Sequence, residues 1–393
     1  MFRPVARLLV TLLSLAAASV CASAGGWTDV VVGKVEEASY RHWLDDVLFA
    51  RGGDDRGFGV DHDAARDAIL AQFRSFGLDA RLEAFTWSGS TYHNVVATLP
   101  GRLRGDDVYI LGAHYDSKSN PGADDNASGV GAVLEAARVM SQTAFAGTII
   151  FAAFDREEQG LVGSQAYVAA HAGQNVRGMV SLDMIGYNPA GANHDKAAVY
   201  GRAASGPIRQ AVRDAVGMYG GLTAVEYGQL DASDHAPFEW AGYQGCLLTE
   251  HEAFGNPYYH ALDDAVETGF IDYAYAAKMT RSAVGWCSSS AGALVPGDAT
   301  SDGRVDYADL GILALSYRGP ADWAGGDFTG DGAVDYLDLG VLAGNYRTVV
   351  TGEVALPEPS TGAILLAAWA LVRRRHGHAN SNGRVSVAPV SLV

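Results

Sequence analysis

The chain has 393 residues, a formal net charge of -17 and three cysteines. That length allows one large domain, or two to three ordinary ones, with a fully formed core. The charge, with no basic footprint outside the termini, excludes nucleic acid or an anionic membrane surface as the principal partner.

Residues 1–24 carry Arg3 and Arg7, an apolar run from Leu8 to Val20, and Ala22-Ser23-Ala24. This is the pattern of a cleaved export signal, and the run is too short to span a bilayer. Export to the extracellular space or cell surface is therefore expected. Cys21 leaves with the signal, so Cys246 and Cys287 remain. They permit one disulfide without requiring it, and two cysteines alone cannot build a thiolate metal site.

Residues 25–287 read as one α/β domain. Val60 to Phe76 has apolar residues at helical spacing and stops at Gly77, and a short apolar run from Asn94 to Leu99 ends at Pro100-Gly101. Four later runs read as strands that deliver a polar cluster: 108–113 into His114, 148–154 into residues 155–158, 178–182 into Asp183, and 244–248 into residues 249–252. A helix is expected over 127–140, where Val130, Val133, Leu134, Ala137 and Met140 share a face. Strand, helix, strand implies a largely parallel sheet with covered faces, whose ligands collect beyond the carboxyl ends of the strands.

The polar groups placed there are His114, Asp125, Glu157, Glu158, Asp183 and, further on, His260. Imidazole nitrogen and carboxylate oxygen are zinc ligands, though such a mixed set also accepts cobalt or manganese. Two metals are served by so few ligands only if one carboxylate is shared between them, as in two-metal hydrolases. Any one of these side chains alone is more simply a solvated surface group. Their recurrence at the ends of buried strands, where desolvation is costly, favours a metal site.

The motifs His114-Tyr-Asp-Ser117, Gly122-Ala-Asp-Asp-Asn-Ala-Ser-Gly129, Asp155-Arg-Glu-Glu-Gln-Gly-Leu-Val-Gly-Ser164, Leu182-Asp-Met-Ile-Gly-Tyr187, Ser233-Asp-His-Ala-Pro237 and Tyr259-His-Ala-Leu-Asp-Asp264 occur in order. Together they resemble the secreted zinc aminopeptidases of peptidase family M28, over roughly residues 34–287. The resemblance implies a three-layer sandwich around a mostly parallel mixed β-sheet. It implies His114 and Asp183 on one zinc, Glu158 and His260 on the other, and Asp125 bridging. It further implies Glu157 as general base, Asp116 supporting His114, whose partner could equally be a backbone carbonyl, and a cis bond between Asp125 and Asn126. Glu157 would take a proton from the attacking water and pass it to the leaving amine of a peptide with a free N-terminus. Some relatives place a tyrosine shortly before Ser-Asp-His. Here Leu230 stands in that neighbourhood, so Tyr227 takes the role through a loop shift or the donor is absent, and Asp234 and His235 are expected to shape the pocket.

A break is expected at 288–295, followed by a duplicated acidic segment over 296–347. Its copies are offset by 29 residues: Asp298, Thr300, Asp302, the Arg304 carbonyl, Asp306 and Asp309 in one, and Asp327, Thr329, Asp331, the Ala333 carbonyl, Asp335 and Asp338 in the other. Gly303 and Gly332 occupy the sixth position of each loop, where the chain turns sharply. Oxygen ligands at this spacing suit calcium, one ion per copy, although the twelfth position is Asp rather than Glu. Short helix-like stretches follow at Leu310–Tyr317 and Leu339–Tyr346. The pair resembles a dockerin module, a small α-helical EF-hand-like unit, which implies a cohesin-like receptor.

The tail, 348–393, holds Pro357-Glu-Pro359, an apolar stretch from Ala363 to Val372 and Arg373 to Arg375. It resembles a PEP-CTERM sorting signal and implies transient membrane insertion before trimming. Two rival readings accompany the peptidase. A glutaminyl cyclase-like zinc acyltransferase shares the scaffold with a single zinc, and a non-catalytic cell-surface binding protein needs the zinc residues to be vestigial.

Overall fold

A computed structural model describes residues 26–49 and 55–350. The expected export signal, and all of the sorting tail beyond residue 350, lie outside the described residues. The chain divides into two compact units, one over Gly25–Leu294 and one from Val295 onward.

The first unit is built on an eight-stranded sheet: β1 (Asp79–Trp87), β2 (Ser90–Leu99), β3 (Arg104–His114), β4 (Gly147–Phe154), β5 (Val176–Leu182), β6 (Lys196–Tyr200), β7 (Thr223–Glu226) and β8 (Gly245–Glu250), in spatial order β1-β2-β4-β3-β5-β8-β6-β7. The four central strands β4, β3, β5 and β8 are parallel. Antiparallel pairing brings in the β1–β2 hairpin on one side and β6 on the other.

Every residue of β4 is buried, which explains its unbroken apolar sequence. The pleat deals its side chains alternately to two cores. Ile149, Phe151 and Ala153 join the larger cluster, with residues of the helices Val60–Ser75, Gly129–Met140 and Tyr273–Ala291. Ile150, Ala152 and Phe154 join the smaller one, with Tyr167 and Phe238 from the helices Val162–Ala170 and His235–Trp240. Helices therefore cover both faces, giving the three layers anticipated. Truncating Phe151 to alanine would cost about 3–5 kcal/mol through the cavity it leaves.

One expectation needs correction, and one left open is settled. The break at Ser288 is not there: the helix continues to Ala291 with Ser288 buried, and it ends at Gly292 in the left-handed region. Serines at 288–290 read as a linker, yet a buried helix tolerates them. Cys246 and Cys287 are both free and buried, so no disulfide joins them.

In the second unit, helices Tyr307–Ser316 and Tyr336–Asn345 begin three residues earlier than their apolar stretches suggest. The reason is capping. Asp306 and Asp335 accept from the following turn, while Asp309 and Asp338 reach back to the cap backbone. Gly297 packs against the Leu342 backbone and Gly326 against that of Leu313, contacts that repeat at the same 29-residue offset as the sequence. No helix among the described residues is long and apolar enough to cross a membrane.

Candidate active site

His114 is the last residue of β3, Glu157 and Glu158 lie just beyond β4, and Asp183 follows β5 directly. Parallel neighbours put these side chains at one edge of the sheet. Asp125 sits in the turn Ala123–Ser128 that feeds the helix Gly129–Met140, and its bond to Asn126 is cis. That turn is fastened from both sides. The backbone N–H groups of Asp124 and Asp125 donate to the Asp264 carboxylate at 2.7 and 3.1 Å, and the Asn126 amide donates to the Leu182 carbonyl at 2.8 Å. Gly129 is required here, because a Cβ would fall 2.4 Å from the Leu182 oxygen. His260 arrives from the loop after β8 with φ 55°, an uncommon backbone conformation for a residue with a side chain.

Nε2 of His114 lies 3.3 Å from Asp125 Oδ1 and 3.4 Å from Asp183 Oδ1. Nε2 of His260 lies 3.1 Å from Asp125 Oδ2 and 3.3 Å from Glu158 Oε1. Among the described residues, two triads are close enough to hold a metal, His114 with Asp125 and Asp183, and Asp125 with Glu158 and His260. Asp125 belongs to both and turns one oxygen to each histidine. The donor set fits zinc, and Glu158 Oε1 is buried without a hydrogen-bond donor, as a ligand atom kept for a cation would be.

Asp116 meets His114 through its backbone carbonyl, the second of the two partners expected. Nδ1 of His114 donates to the Asp116 carbonyl oxygen at 3.1 Å and stands 3.6 Å from its carboxylate, beyond hydrogen-bond reach. A carbonyl only accepts, so Nδ1 holds the proton and Nε2 is left to bind metal. The Asp116 carboxylate instead accepts from the backbone N–H of Glu157 at 3.1 Å and of Glu158 at 3.3 Å. It fixes the turn that presents both glutamates.

Electrostatics separates the carboxylates. Burial works against ionisation of Asp125, but hydrogen bonds and charge from His114 and His260 outweigh it and hold that carboxyl below the usual range. Burial pushes Glu157 well above its ordinary value, the negative charges of Asp183, Asp234 and Glu158 add to this, and His114 opposes it. A base must hold a proton for part of the cycle, and Glu157 is set up to do so. Burial lowers the proton affinity of His260, yet the carboxylates of Asp125 and Glu158 beside it raise it to about 9.

These groups open into a cavity of about 230 Å3 whose walls are largely apolar, with Leu161, Met184, Tyr200, Leu230, Leu247 and Phe254 among them. Tyr227 is not on the wall. Its hydroxyl meets Nε2 of His251 at 3.1 Å and its ring stacks on Tyr200, so the loop-shift expectation is not met, and Leu230 occupies the lining. Asp234 and His235 are fully buried and do not line the cavity, whose wall takes Leu230, Asp231 and Ala232 from the same segment. Sequence reasoning passed over Lys118, which does line it and follows the Asp116–Ser117 pair directly.

The acidic repeats do not bring three carboxylates together in this way. Asp298 accepts from Asp302 and Gly303 N–H, and Asp309 from Ala299, Thr300 and Asp306 N–H. The second copy repeats most of this pattern at Asp327 and Asp338.

Comparison with known proteins agrees with the geometry of the first unit. Residues 94–286 match peptidase family M28. Leupeptin-inactivating enzyme 1 of Streptomyces exfoliatus is 32% identical over 238 residues, 58% of this chain and 51% of that protein. Leucine aminopeptidase 1 of Trichophyton equinum is 30% identical over 220 residues, 51% of this chain and 58% of that protein. The chain spans between 23% and 63% of the length of the curated relatives it matches. Among solved structures, the LapA aminopeptidase of Legionella pneumophila aligns with TM-score 0.61 at 21% identity, covering 68% of this chain and 74% of that one. A glutaminyl cyclase from Porphyromonas gingivalis aligns with TM-score 0.54 at 21% identity, covering 65% and 99%. At such identities the structures share the fold alone, and that fold occurs in enzymes of more than one activity.

Proposed function

We propose that residues 25–294 form a two-zinc aminopeptidase that removes N-terminal residues from peptides. The observation that carries this is Asp125, whose two oxygens face Nε2 of His114 and Nε2 of His260 at 3.3 and 3.1 Å, so that a carboxylate is shared between two ligand sets. His114 and Asp183 would hold one ion, and Glu158 and His260 the other. Two bound zinc ions would lower the pKa of a water and polarise the scissile carbonyl. Glu157 accepts that water's proton and returns it to the departing amine. Asp116, through the Glu157 and Glu158 backbone, keeps the base beside the reacting atoms while its neighbour binds metal. The largely apolar walls favour an apolar first residue.

The test compares an unblocked peptide with its N-acetylated form, alongside zinc content of the purified protein. Release of the first residue from the unblocked peptide only, with about two zinc ions per chain, supports the reading. Equal cleavage of both peptides overturns the exopeptidase assignment, and one zinc with pyroglutamate formation from an N-terminal glutamine moves it to the cyclase.

Within the same reading, the duplicated loops over 296–347 each take one calcium and serve as a dockerin-like docking unit, supported by their matching carboxylate and capping geometry. Residues 1–24 and 348–393 direct export and cell-surface sorting. If so, chelating calcium in the full chain makes the 296–347 segment protease-sensitive; unchanged resistance removes calcium from the proposal.

A further inference from the structure

The charged side chains on the cavity wall are almost all spoken for. Under the aminopeptidase reading, His114, Asp125, Glu158, Asp183 and His260 are committed to metal and Glu157 to proton transfer. Asp231 is already paired with Arg202 at 2.6 Å. Lys118 is what remains, and it is the one Lys or Arg on the described wall.

Its ammonium is paired only loosely, with the Glu158 carboxylate that the metal also claims. Nζ stands 3.8 Å from Glu158 Oε2, beyond hydrogen-bond reach, and its side chain is 52% exposed. The backbone beneath it is nonetheless fixed. Lys118 N–H donates to Asn120 Oδ1 at 3.0 Å, the Asn120 amide donates to the Ala261 carbonyl at 3.2 Å beside His260, and Ser117 Oγ donates to the Asn120 carbonyl at 2.7 Å. A long side chain on a built loop, facing a reaction cavity, in a protein of net charge -17, is a cation placed where acids dominate.

We propose that Lys118 reads a carboxylate on the substrate, one residue from the scissile bond. Carboxylate is the anion peptides ordinarily carry. One residue advances the chain by about 3.8 Å, so a group meeting Nζ beside Glu158 lies near the reacting carbonyl rather than several residues away. Two sources share this chemistry, the free C-terminus of a dipeptide and an acidic side chain in the second position. Lys118 thus sets specificity, and the inference rests on the aminopeptidase reading.

The test uses the zinc-loaded full chain and two pairs of peptides. Leu-Gly against Leu-Gly-amide reports the terminal carboxylate, and Leu-Glu-amide against Leu-Gln-amide the side chain. In at least one pair kcat/KM should favour the carboxylate about tenfold, as a charge-assisted contact allows. That ratio should fall towards one in Lys118→Gln, be largely kept in Lys118→Arg, and shrink for the unaltered protein as salt is raised. The pair that responds identifies the source. Equal rates within both pairs, or a ratio untouched by Lys118→Gln, overturns the role of Lys118 and leaves the peptidase standing. No cleavage of any of the four peptides overturns both.

Discussion

The two units of this protein spend aspartate in opposite ways. In the first, carboxylates from separate strand ends converge on imidazoles, and the ligands span residues 114 to 260. In the repeats, each set of carboxylates lies within a dozen residues and closes on its own backbone N–H groups. Ligands borrowed from distant segments are positioned by the sheet and buried by it. Ligands drawn from one loop are positioned by the loop, and their order depends on what the loop binds. If each takes the cation proposed for it, the first arrangement offers mixed nitrogen and oxygen donors and the second oxygen alone, which suits a harder ion.

Disabling the base tests the first arrangement most severely. Glu157→Gln is expected to lower kcat by a factor of about 10²–10⁴ with zinc content unchanged, measured by steady-state kinetics and elemental analysis of the same sample. Activity near that of the parent would remove Glu157 from proton transfer. Asp125→Ala should instead lower zinc content itself to below one ion per chain, because one residue serves both ligand sets; loss of a single ion would mean the sites fill independently.

A smaller effect concerns stability. Burial holds His235 down at about 4 against an unfolded value of 6.5. The unfolded chain takes up a proton that the folded chain refuses, so stability is present above pH 6.5 and is lost as pH falls towards 4. The loss amounts to about 3 kcal/mol. Urea unfolding of the metal-free protein across this range should show it, and His235→Gln should flatten that limb; an identical slope in the variant would place the acid sensitivity elsewhere. The smallest effect is expected from the repeats. Asp298→Ala with Asp327→Ala should abolish calcium binding by calorimetry while peptide hydrolysis stays as it was, and a matching fall in hydrolysis would show that the units depend on each other.

The central strands were legible because burial on both faces leaves uninterrupted apolar runs, as at 148–154. His114, Glu157, Glu158 and Asp183 were legible because they stand where those runs end, whereas Asp125 and His260 lie in loops and were found through the family motifs. What escaped is what lacks a local signal. The edge strands β1 and β7, and β6 next to β7, are short or half-solvated, so their sequences alternate weakly. The split work of Asp116, carbonyl to His114 and carboxylate to the glutamate turn, depends on how β3 lies beside β4 and leaves no mark in the motif. Lys118 was overlooked for a related reason. A lysine in an acidic chain reads as an ordinary solvated charge until the cavity beside it is seen.

The contacts of Gly297 with Leu342 and Gly326 with Leu313 make the repeat pair an exchange, each half supplying the floor on which the other half's helix rests. Removing either copy would strip the survivor of its packing surface and bare a leucine to water. The segment is therefore expected to be inherited, lost or transplanted as a couple, with 29 residues the spacing of its symmetry and not the size of a unit that stands by itself.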